Sequence, residues 1–306
     1  GGVIVYRRSS FDAGLEGWEA ANGARIALVD DVIHGKALEV ACEAGWSGAR
    51  LPVAVRGSKG LKLALLARGR GLPAAGVNFH DAISGDNTTP YGHRYLEDGA
   101  WTPILYFLDR CRYNSRNEGF VSPATFYDEV RFHGPQEARP GRAFAIDDLA
   151  LYRGEDRDPP GPVPGLRADA TAEGVKLSWE PAPDNVGIQA YAVSRADCGG
   201  AFRKVAERRG TAWVDVAAGE GPRAYRVLAV DFEENLGPWS DPVRVEAMAP
   251  ARPIASARPT AATPEEADRL AYAEHVREVH RGGAGKVRRG RATLFGDSLT
   301  GATLYP

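Results

Sequence analysis

The sequence is poor in cysteine and methionine and has no long hydrophobic run. Its 306 residues include 3 cysteines and 1 methionine. Cys42, Cys111 and Cys198 are odd in number and far apart, so they predict neither a disulfide framework nor a metal-binding cluster. The sequence is compatible either with one disulfide bond between two of these cysteines or with three buried thiols. No apolar segment reaches the roughly 20 residues that a membrane-spanning helix needs, so we predict no membrane partner.

The chain also lacks an excess of charge of either sign. It contains 38 Lys and Arg residues and 40 Asp and Glu residues, which gives a formal net charge of -2 at pH 7. A nucleic-acid-binding domain generally carries a basic patch, and this composition does not support one. We therefore expect no nucleic-acid partner, and we expect no organic cofactor.

Helical patterns are scarce, whereas turn-forming residues are abundant. The 36 Gly and 21 Pro residues separate short segments in which apolar and polar residues alternate, the pattern of antiparallel sheet. At about 150 residues per domain, the length predicts two domains and a third fragment. The predicted fold class is therefore mainly β. The segments are a β-sandwich of jelly-roll type over 1–156, a Pro-rich linker over 157–165, a second β-sandwich over 166–248, a linker over 249–263 and a short α/β fragment over 264–306.

The last strand of the first domain changes the side that faces the core. Phe144 and Ile146 share one parity, and the apolar residues after Asp147-Asp148 have the other, so a bulge is predicted there. Two adjacent carboxylates in an apolar strand are costly unless they are compensated. Calcium accepts an irregular set of oxygen ligands and would compensate them. An earlier strand is predicted to alternate regularly, with Phe126, Val130 and Phe132 on one face and Tyr127, Glu129 and Arg131 on the other.

Five short motifs occur along the first domain. They are Phe11-Asp12, Gly17-Trp18 and the segments 34–40, 98–101 and 145–149. In this order they resemble the landmarks of jelly-roll carbohydrate-binding modules. The resemblance implies a structural Ca²⁺ held by Asp12 and Asp147, with backbone carbonyls near His34 and Lys36 as further ligands. The alternative is that the two aspartates only cap turns.

The same resemblance implies a polysaccharide or glycan as partner. Sugar faces stack on aromatic rings, and planar polar groups bind the hydroxyls. Trp18 and Trp101 match positions that pack inside. The residues that we nominate for sugar binding are Trp46, Tyr91, Arg94, Tyr95, Tyr106 and Tyr113. The alternative for each is a place in the core, and such a module can also serve only for docking.

The second domain has the landmarks of another family. Leu177-Ser178-Trp179 and the alternation around Tyr191 and Tyr225 resemble a fibronectin type III domain. The resemblance implies that Trp179 is the core tryptophan, that Tyr225 forms the tyrosine corner and that the domain is a spacer. The acidic stretches at Asp184-Asn185 and 231–235 are predicted to be solvated turns rather than a metal site.

A serine follows a predicted strand near the end of the sequence. The apolar run 293–295 stops at Gly296-Asp297-Ser298, where backbone N–H groups at a strand-to-helix turn can receive negative charge. This segment resembles the first block of the SGNH (GDSL) serine hydrolases, esterases with a flavodoxin-like α/β fold. The resemblance implies that Ser298 is the nucleophile and an oxyanion donor and that Asp297 supports the turn. The alternative is a chance Gly-Asp-Ser turn.

The later blocks of that family do not follow in this sequence, and a serine without a base is a poor nucleophile. We expect the front part of a modular esterase that removes acyl groups, acetyl foremost, from a polysaccharide. Asp and His from beyond residue 306, in a continuation or a separate chain, would complete it, and this chain alone is expected to be inactive. The alternatives are a non-catalytic carbohydrate-binding and spacer protein and a cell-surface adhesion protein. The domain content indicates a secreted or cell-surface protein of bacterial type, whereas the start at Gly1-Gly2 fits either removal of a leader or cloning.

Overall fold

The computed structural model describes most of the first 245 residues. The described ranges are 2–31, 35–57, 59–72, 74–90, 94–96, 99–113, 125–197, 199–219 and 221–245, with the backbone alone at 94, 95, 110, 112 and 113. The predicted second linker and α/β fragment, with Asp297 and Ser298, lie outside these residues, and so do His34, Tyr91 and Cys198.

Antiparallel strands form nearly all of the regular structure of the first domain, together with a 3-10 turn at Leu108–Arg110. The strands are β1 (Ile4–Ser9), β2 (Glu19–Ala21), β3 (Arg25–Asp31), β4 (Gly35–Cys42), β5 (Gly48–Arg56), β6 (Leu61–Arg70), β7 (Ala74–Asp81), β8 (Asp86–Thr89), β9 (Arg94–Tyr95), β10 (Thr102–Phe107), β11 (Arg112–Tyr113), β12 (Phe126–His133) and β13 (Arg142–Arg153). No helix in the described part of the chain has the length and apolarity that crossing a bilayer requires.

These strands form two sheets that enclose one core. The first sheet has the order β10-β6-β13-β4-β3, and β1 pairs with β13. The second has the order β11-β8-β7-β12-β5-β2, and β9 pairs with β7. Leu63 and Leu65 from the first sheet and Val130 and Phe132 from the second belong to the same buried cluster, which also contains Trp18. The first domain is therefore a β-sandwich, as the alternation predicts.

The bulge predicted in β13 is confirmed. The register against β6 shifts between Asp147 and Ala150, and Asp148 has a φ of 48°. Because of this extra residue, Ile146 and Leu149 both face the core between the sheets. Asp147 is thereby placed in a fully buried position on a mostly apolar strand.

A second bulge, in β12, makes one prediction wrong. The register of β12 against both neighbours shifts between Tyr127 and Glu129. Tyr127 is therefore fully buried in the core, although regular alternation predicts it on the outer face with Glu129 and Arg131. The extra residue, Asp128, reverses the parity between Tyr127 and the rest of the strand.

The second domain is a smaller β-sandwich. Its strands are β14 (Arg167–Thr171), β15 (Gly174–Ser178), β16 (Ile188–Asp197), β17 (Arg203–Arg208), β18 (Ala212–Asp215), β19 (Arg223–Asp231) and β20 (Val243–Val245), in sheets of order β14-β15-β18 and β17-β16-β19-β20. Trp179 and Tyr225 are buried in its core as predicted. The hydroxyl of Tyr225 donates to Asp215 Oδ2 at 3.0 Å.

The two sandwiches pack directly against each other within one compact unit, Gly1–Arg252. Phe232 and Val186 of the second sandwich join a buried cluster with Ala64 and Leu66 of β6 and with Trp101. Both faces of β6 are therefore buried, one in the first sandwich and the other beneath the second. The second domain is held by packing, and the prediction of solvated acidic turns is wrong at Asp231, which is fully buried.

Candidate functional site

The outer face of the second sheet carries polar side chains in an ordered arrangement. Directly paired residues of neighbouring strands share one face of a sheet, so the strand register identifies which residues lie together. We call the following two rows the polar face. The first row is Glu19, Arg50, Arg131 and Asn78, and the second is Pro52, Glu129, His80 and Asn87.

Ion pairs connect the strands of the polar face. Arg50 contacts Glu19 at 2.9 Å and Glu129 at 3.6 Å, and Glu129 contacts Arg131 at 2.5 Å. Because each arginine has a carboxylate partner, the guanidinium groups are positioned before any ligand arrives. Arg50 nevertheless keeps 44% of its side chain exposed.

The polar face opens into a shallow cleft of about 410 Å³. His80 Nδ1 lies 2.6 Å from Asp128 Oδ1 at this cleft, and the two side chains remain 35% and 44% exposed. Thr89 Oγ1 donates to Asn78 Oδ1 at 2.7 Å beside them. The surface therefore offers guanidinium, carboxylate, imidazole and amide groups, which together donate and accept hydrogen bonds.

Trp46, in the loop before β5, has an exposed ring in an unusual backbone conformation. Its φ is 62° and it is 44% exposed. Asn22 Nδ2 donates to its carbonyl at 2.9 Å, and its ring meets His133 edge-on with 5.1 Å between centroids. A non-glycine residue with positive φ persists where its surroundings hold it. Neighbouring contacts thus hold this ring at the surface, and the strand that follows leads to Arg50.

The other aromatic nominees have different outcomes. The nomination of Tyr106 is wrong, because this residue is 3% exposed and packs in the core of the first sandwich. Arg94 and Tyr95 lie in β9, which pairs with the first residues of β7. Tyr113 lies in β11 at the edge of the second sheet. Tyr91 lies outside the described residues.

Sequence reasoning missed Arg50, Glu129 and Arg131. Part of the signal was present, since polar residues recur at every second position from Glu129 to His133 in β12, whereas Arg50 and Arg56 are the only polar residues of β5. Alternation assigns such residues to one face of their own strand. It does not say which strands are neighbours, so it cannot join these residues into one surface.

A second group of side chains, the acidic corner, comprises Asp12, Asp31, Asp147 and Asp148. Asp12 Oδ1 accepts the N–H of Lys36 at 3.2 Å. Gly35 has a φ of 94°, and a Cβ at this position would lie 2.4 Å from the same oxygen. Glycine is therefore required at position 35 for the segment 35–36 to approach Asp12. The resemblance to carbohydrate-binding modules assigns both Asp12 and this segment to one calcium ion.

Asp147 is the fully buried member of the acidic corner. Its Oδ1 accepts the N–H of Asp148 at 2.8 Å, whereas its Oδ2 has no hydrogen-bond partner among the described residues. Burial, followed by the charges of Asp148, Asp12 and Asp31, raises the pKa of Asp147 to about 9. A buried carboxylate in acidic surroundings fits a hard cation with oxygen ligands. The residues present are thus suited to calcium.

Comparisons with known proteins found similar solved structures, but no family model and no curated protein matches the chain. A β-1,2-glucanase from Parabacteroides distasonis has 17% identity and a TM-score of 0.33 over 76% of this chain and 36% of the glucanase, so this chain spans about a third of its length. The family 11 carbohydrate-binding module of a Clostridium thermocellum cellulase has 15% identity and a TM-score of 0.37 over 51% of this chain and 100% of the module. A Fn3-like protein from Clostridium thermocellum has 26% identity and a TM-score of 0.24 over 28% of this chain and 88% of that protein. The structures similar to this chain thus include a glycoside hydrolase, a carbohydrate-binding module and a fibronectin-type protein.

Proposed function

We propose that the protein binds a polysaccharide or glycan on the polar face of its first sandwich. The observation that carries the proposal is the set of preorganised yet exposed charged side chains around the cleft. Arg50 and Asp128 each keep 44% of the side chain exposed while held by a partner. Sugar hydroxyls donate and accept hydrogen bonds, and groups of both kinds lie side by side here.

The balance of charge on this face favours a sugar over a phosphate-rich ligand. Glu19 and Glu129 neutralise Arg50 and Arg131, so the face has no surplus of positive charge to attract a polyanion. The cleft is open rather than enclosed, which suits a chain better than an isolated small molecule. Trp46 adds an exposed ring on which a sugar can stack.

Affinity electrophoresis through gels that contain soluble β-glucans, glucomannan or xylan tests this proposal, followed by calorimetry with the polysaccharide that retards the chain. We expect Arg50→Ala and His80→Ala each to weaken binding by about tenfold, because each change removes hydrogen bonds to the sugar and a loss of about 1.4 kcal/mol corresponds to tenfold. Arg25→Ala, which removes an exposed ion pair with Glu43 on the other sheet, is the matched control. Equal retardation of the wild type and both polar-face variants would contradict the proposal.

A structural calcium ion at the acidic corner is part of the same proposal. Asp12 and Asp147 are its side-chain ligands, and backbone carbonyls near His34 and Lys36 complete its coordination. The buried, unpartnered oxygen of Asp147 and the close approach of segment 35–36 to Asp12 support this assignment. The ion would stabilise the β13 bulge and would take no part in sugar binding, which we assign to the polar face.

The Gly296-Asp297-Ser298 motif supports a further proposal, that the protein is the front part of a secreted or cell-surface esterase acting on the bound polysaccharide. Ser298 would attack the acyl carbonyl while its N–H stabilises the oxyanion, Asp297 would support the turn, and Asp and His from beyond residue 306 would supply the base. Acetyl-ester hydrolysis by this chain and by an extended chain is the test. Activity that requires the extension and is lost in Ser298→Ala supports the esterase. Activity that survives Ser298→Ala contradicts it, and inactivity of both chains favours a non-catalytic binding and spacer protein.

A further inference from the structure

Three carboxylates from separate segments meet where the two sandwiches join. Asp156 lies in the segment after β13, Asp184 in the loop between β15 and β16, and Asp231 at the end of β19. One carboxylate oxygen from each lies within 4.8 Å of the other two. We call this group the junction cluster. It shares no residue with the acidic corner, although Asp184 lines the same cleft as Asp12, Asp31 and Asp148, and it does not depend on the proposed sugar binding.

Two carboxylates of the junction cluster are buried and Asp184 is half-buried, and the cluster lacks a positive partner among the described residues. Asp231 is fully buried and Asp156 is 3% exposed. None of the three carboxylates forms an ion pair with a lysine or arginine among the described residues. Lys62, on the neighbouring face of β6, is bound to Glu233. Three negative charges that approach one another away from water, with no counter-charge, are unfavourable.

Arg8, the other positive side chain at this junction, does not neutralise the cluster. Its guanidinium donates to the main-chain carbonyls of Asp184 and Asn185. These contacts position the loop at 184–185 against the first sandwich, and they leave the carboxylate of Asp184 uncompensated.

The hydrogen bonds of the cluster leave oxygens without donors. Asp156 Oδ1 accepts from Asn185 Nδ2 at 2.8 Å and from the N–H of Asp158 at 3.2 Å. Asp184 Oδ2 accepts the N–H groups of Val186 and Gly187. Asp156 Oδ2, Asp184 Oδ1 and Asn185 Oδ1 are buried and have no hydrogen-bond partner in the described part of the chain. A buried oxygen without a donor is costly, and a bound cation would remove that cost.

Surrounding groups orient the cluster for such an ion. Asn235 Nδ2 donates to Asp231 Oδ2 at 2.7 Å and to the carbonyl of Asp156 at 2.9 Å. Burial raises the pKa values of Asp184 and Asp231, and the charge of Asp156 raises both further. The carboxylates are therefore held in place and under mutual repulsion.

We infer that the junction cluster binds one calcium ion, which joins the first sandwich to the second. The available ligands are all oxygens from carboxylate and amide groups, which excludes the nitrogen and sulfur preferences of most transition metals. Calcium accepts six to eight such oxygens in irregular geometry, whereas magnesium demands a near-ideal octahedron. Because Asp156 follows the last strand of the first sandwich, the ion would fix the angle between the two domains.

Calorimetric titration of the EDTA-treated 306-residue chain with CaCl₂ tests the inference. Asp184→Asn and Asp156→Asn each remove one charge and keep an oxygen for the loop amides, so folding should persist, and circular dichroism checks it. Asp147→Asn removes a ligand of the acidic corner instead. Asp169→Asn, at an exposed carboxylate of β14, is the matched control.

The expected result is two calcium sites in the wild type and in Asp169→Asn. One site should be lost in Asp184→Asn and in Asp156→Asn, the other in Asp147→Asn, and both in the Asp147→Asn/Asp184→Asn double variant. A single wild-type site that disappears with Asp184→Asn but not with Asp147→Asn upholds the inference and refutes the acidic corner. Unchanged calcium binding in folded Asp184→Asn and Asp156→Asn would overturn the inference.

Discussion

Lys62 Nζ in β6 lies 2.5 Å from Glu233 Oε1 in the loop after β19, and the two side chains are only 8% and 13% exposed. This ion pair joins the two sandwiches across 171 positions of the chain. Glu233 Oε1 also accepts the hydroxyl of Tyr152 at 3.0 Å and the N–H of Asp156 at 3.3 Å. The carboxylate of Glu233 thus accepts hydrogen bonds from the first sandwich and from the segment that follows it.

Glu233→Gln should destabilise the protein by roughly 3 kcal/mol, because it leaves the charge of Lys62 buried without a partner. Glutamine keeps an oxygen for Tyr152 and Asp156, so the change isolates the charge. Urea denaturation measures the free energy of unfolding. Glu234→Gln, at an exposed neighbouring residue, should have no effect, and similar midpoints for both variants would contradict the role of this ion pair.

Phe232→Ala should weaken the contact between the two sandwiches. Phe232 is 5% exposed in the interdomain cluster, and truncation of a buried phenylalanine costs about 3 kcal/mol or more. We expect one calorimetric unfolding transition in the wild type and two in the variant. Leu236→Ala, at a residue that is 64% exposed, is the control. A single transition retained in Phe232→Ala would show that the packing does not couple the domains.

Calcium should stabilise the acidic corner through Asp147. To isolate this site, the free energy of unfolding with calcium and in EDTA is compared in the Asp184→Asn background. Calcium at one hundred times its Kd should raise that free energy by about 2.7 kcal/mol. Asp147→Asn should abolish this gain. In EDTA the same change should leave the melting temperature equal or higher, because it removes a buried carboxylate with no counter-charge. A lower melting temperature in EDTA together with a retained calcium gain would refute the assignment.

Trp46→Ala should weaken polysaccharide binding by about tenfold, equal to 1.4 kcal/mol, because it removes an exposed ring on which a sugar can stack. Trp46→Phe should retain part of the affinity. Trp239→Ala is the control, since Trp239 is 36% exposed on the second sandwich, where its ring contacts Arg226. Equal affinity of the alanine variant and the wild type in calorimetry would remove Trp46 from the site.

Cys42 and Cys111 should not react with a disulfide reagent at pH 8 while the protein is folded. Both are buried free thiols. Burial raises the pKa of Cys111 to about 12, and burial together with Glu43 raises that of Cys42, so almost no thiolate is present. Labelling of a Cys198→Ser variant should reveal both thiols only after unfolding in urea. Rapid labelling of the native variant would contradict their placement.

Local patterns were sufficient for much of the fold. The change of parity across Asp147-Asp148 predicts the β13 bulge because a strand has a period of two residues. The resemblance to a fibronectin type III domain implied that Trp179 and Tyr225 are core residues, and both are buried in the second sandwich. The β12 bulge escaped prediction because Asp128 stands between residues that fit a regular alternation equally well.

The sites depended more on distant partners. Trp46 could be nominated as an aromatic residue in a loop, and the ring of Tyr106 looked equally suitable until the sandwich enclosed it. Arg50 and Arg131 belong to one surface only because β5 and β12 are neighbours. Asp156 lies near Asp184 and Asp231 only because the second sandwich docks on the first.

The sequence by itself determined the mainly β character, the two sandwiches and the bulge at Asp147-Asp148, since these follow from side-chain periodicity and turn residues along a few neighbouring positions. Only the tertiary structure decided the polar face, the burial of Glu233 beside Lys62 and the meeting of three carboxylates at the junction. These features arise when strands and loops that are distant in the chain pair or pack, and neither the register nor the docking face is encoded in any single segment.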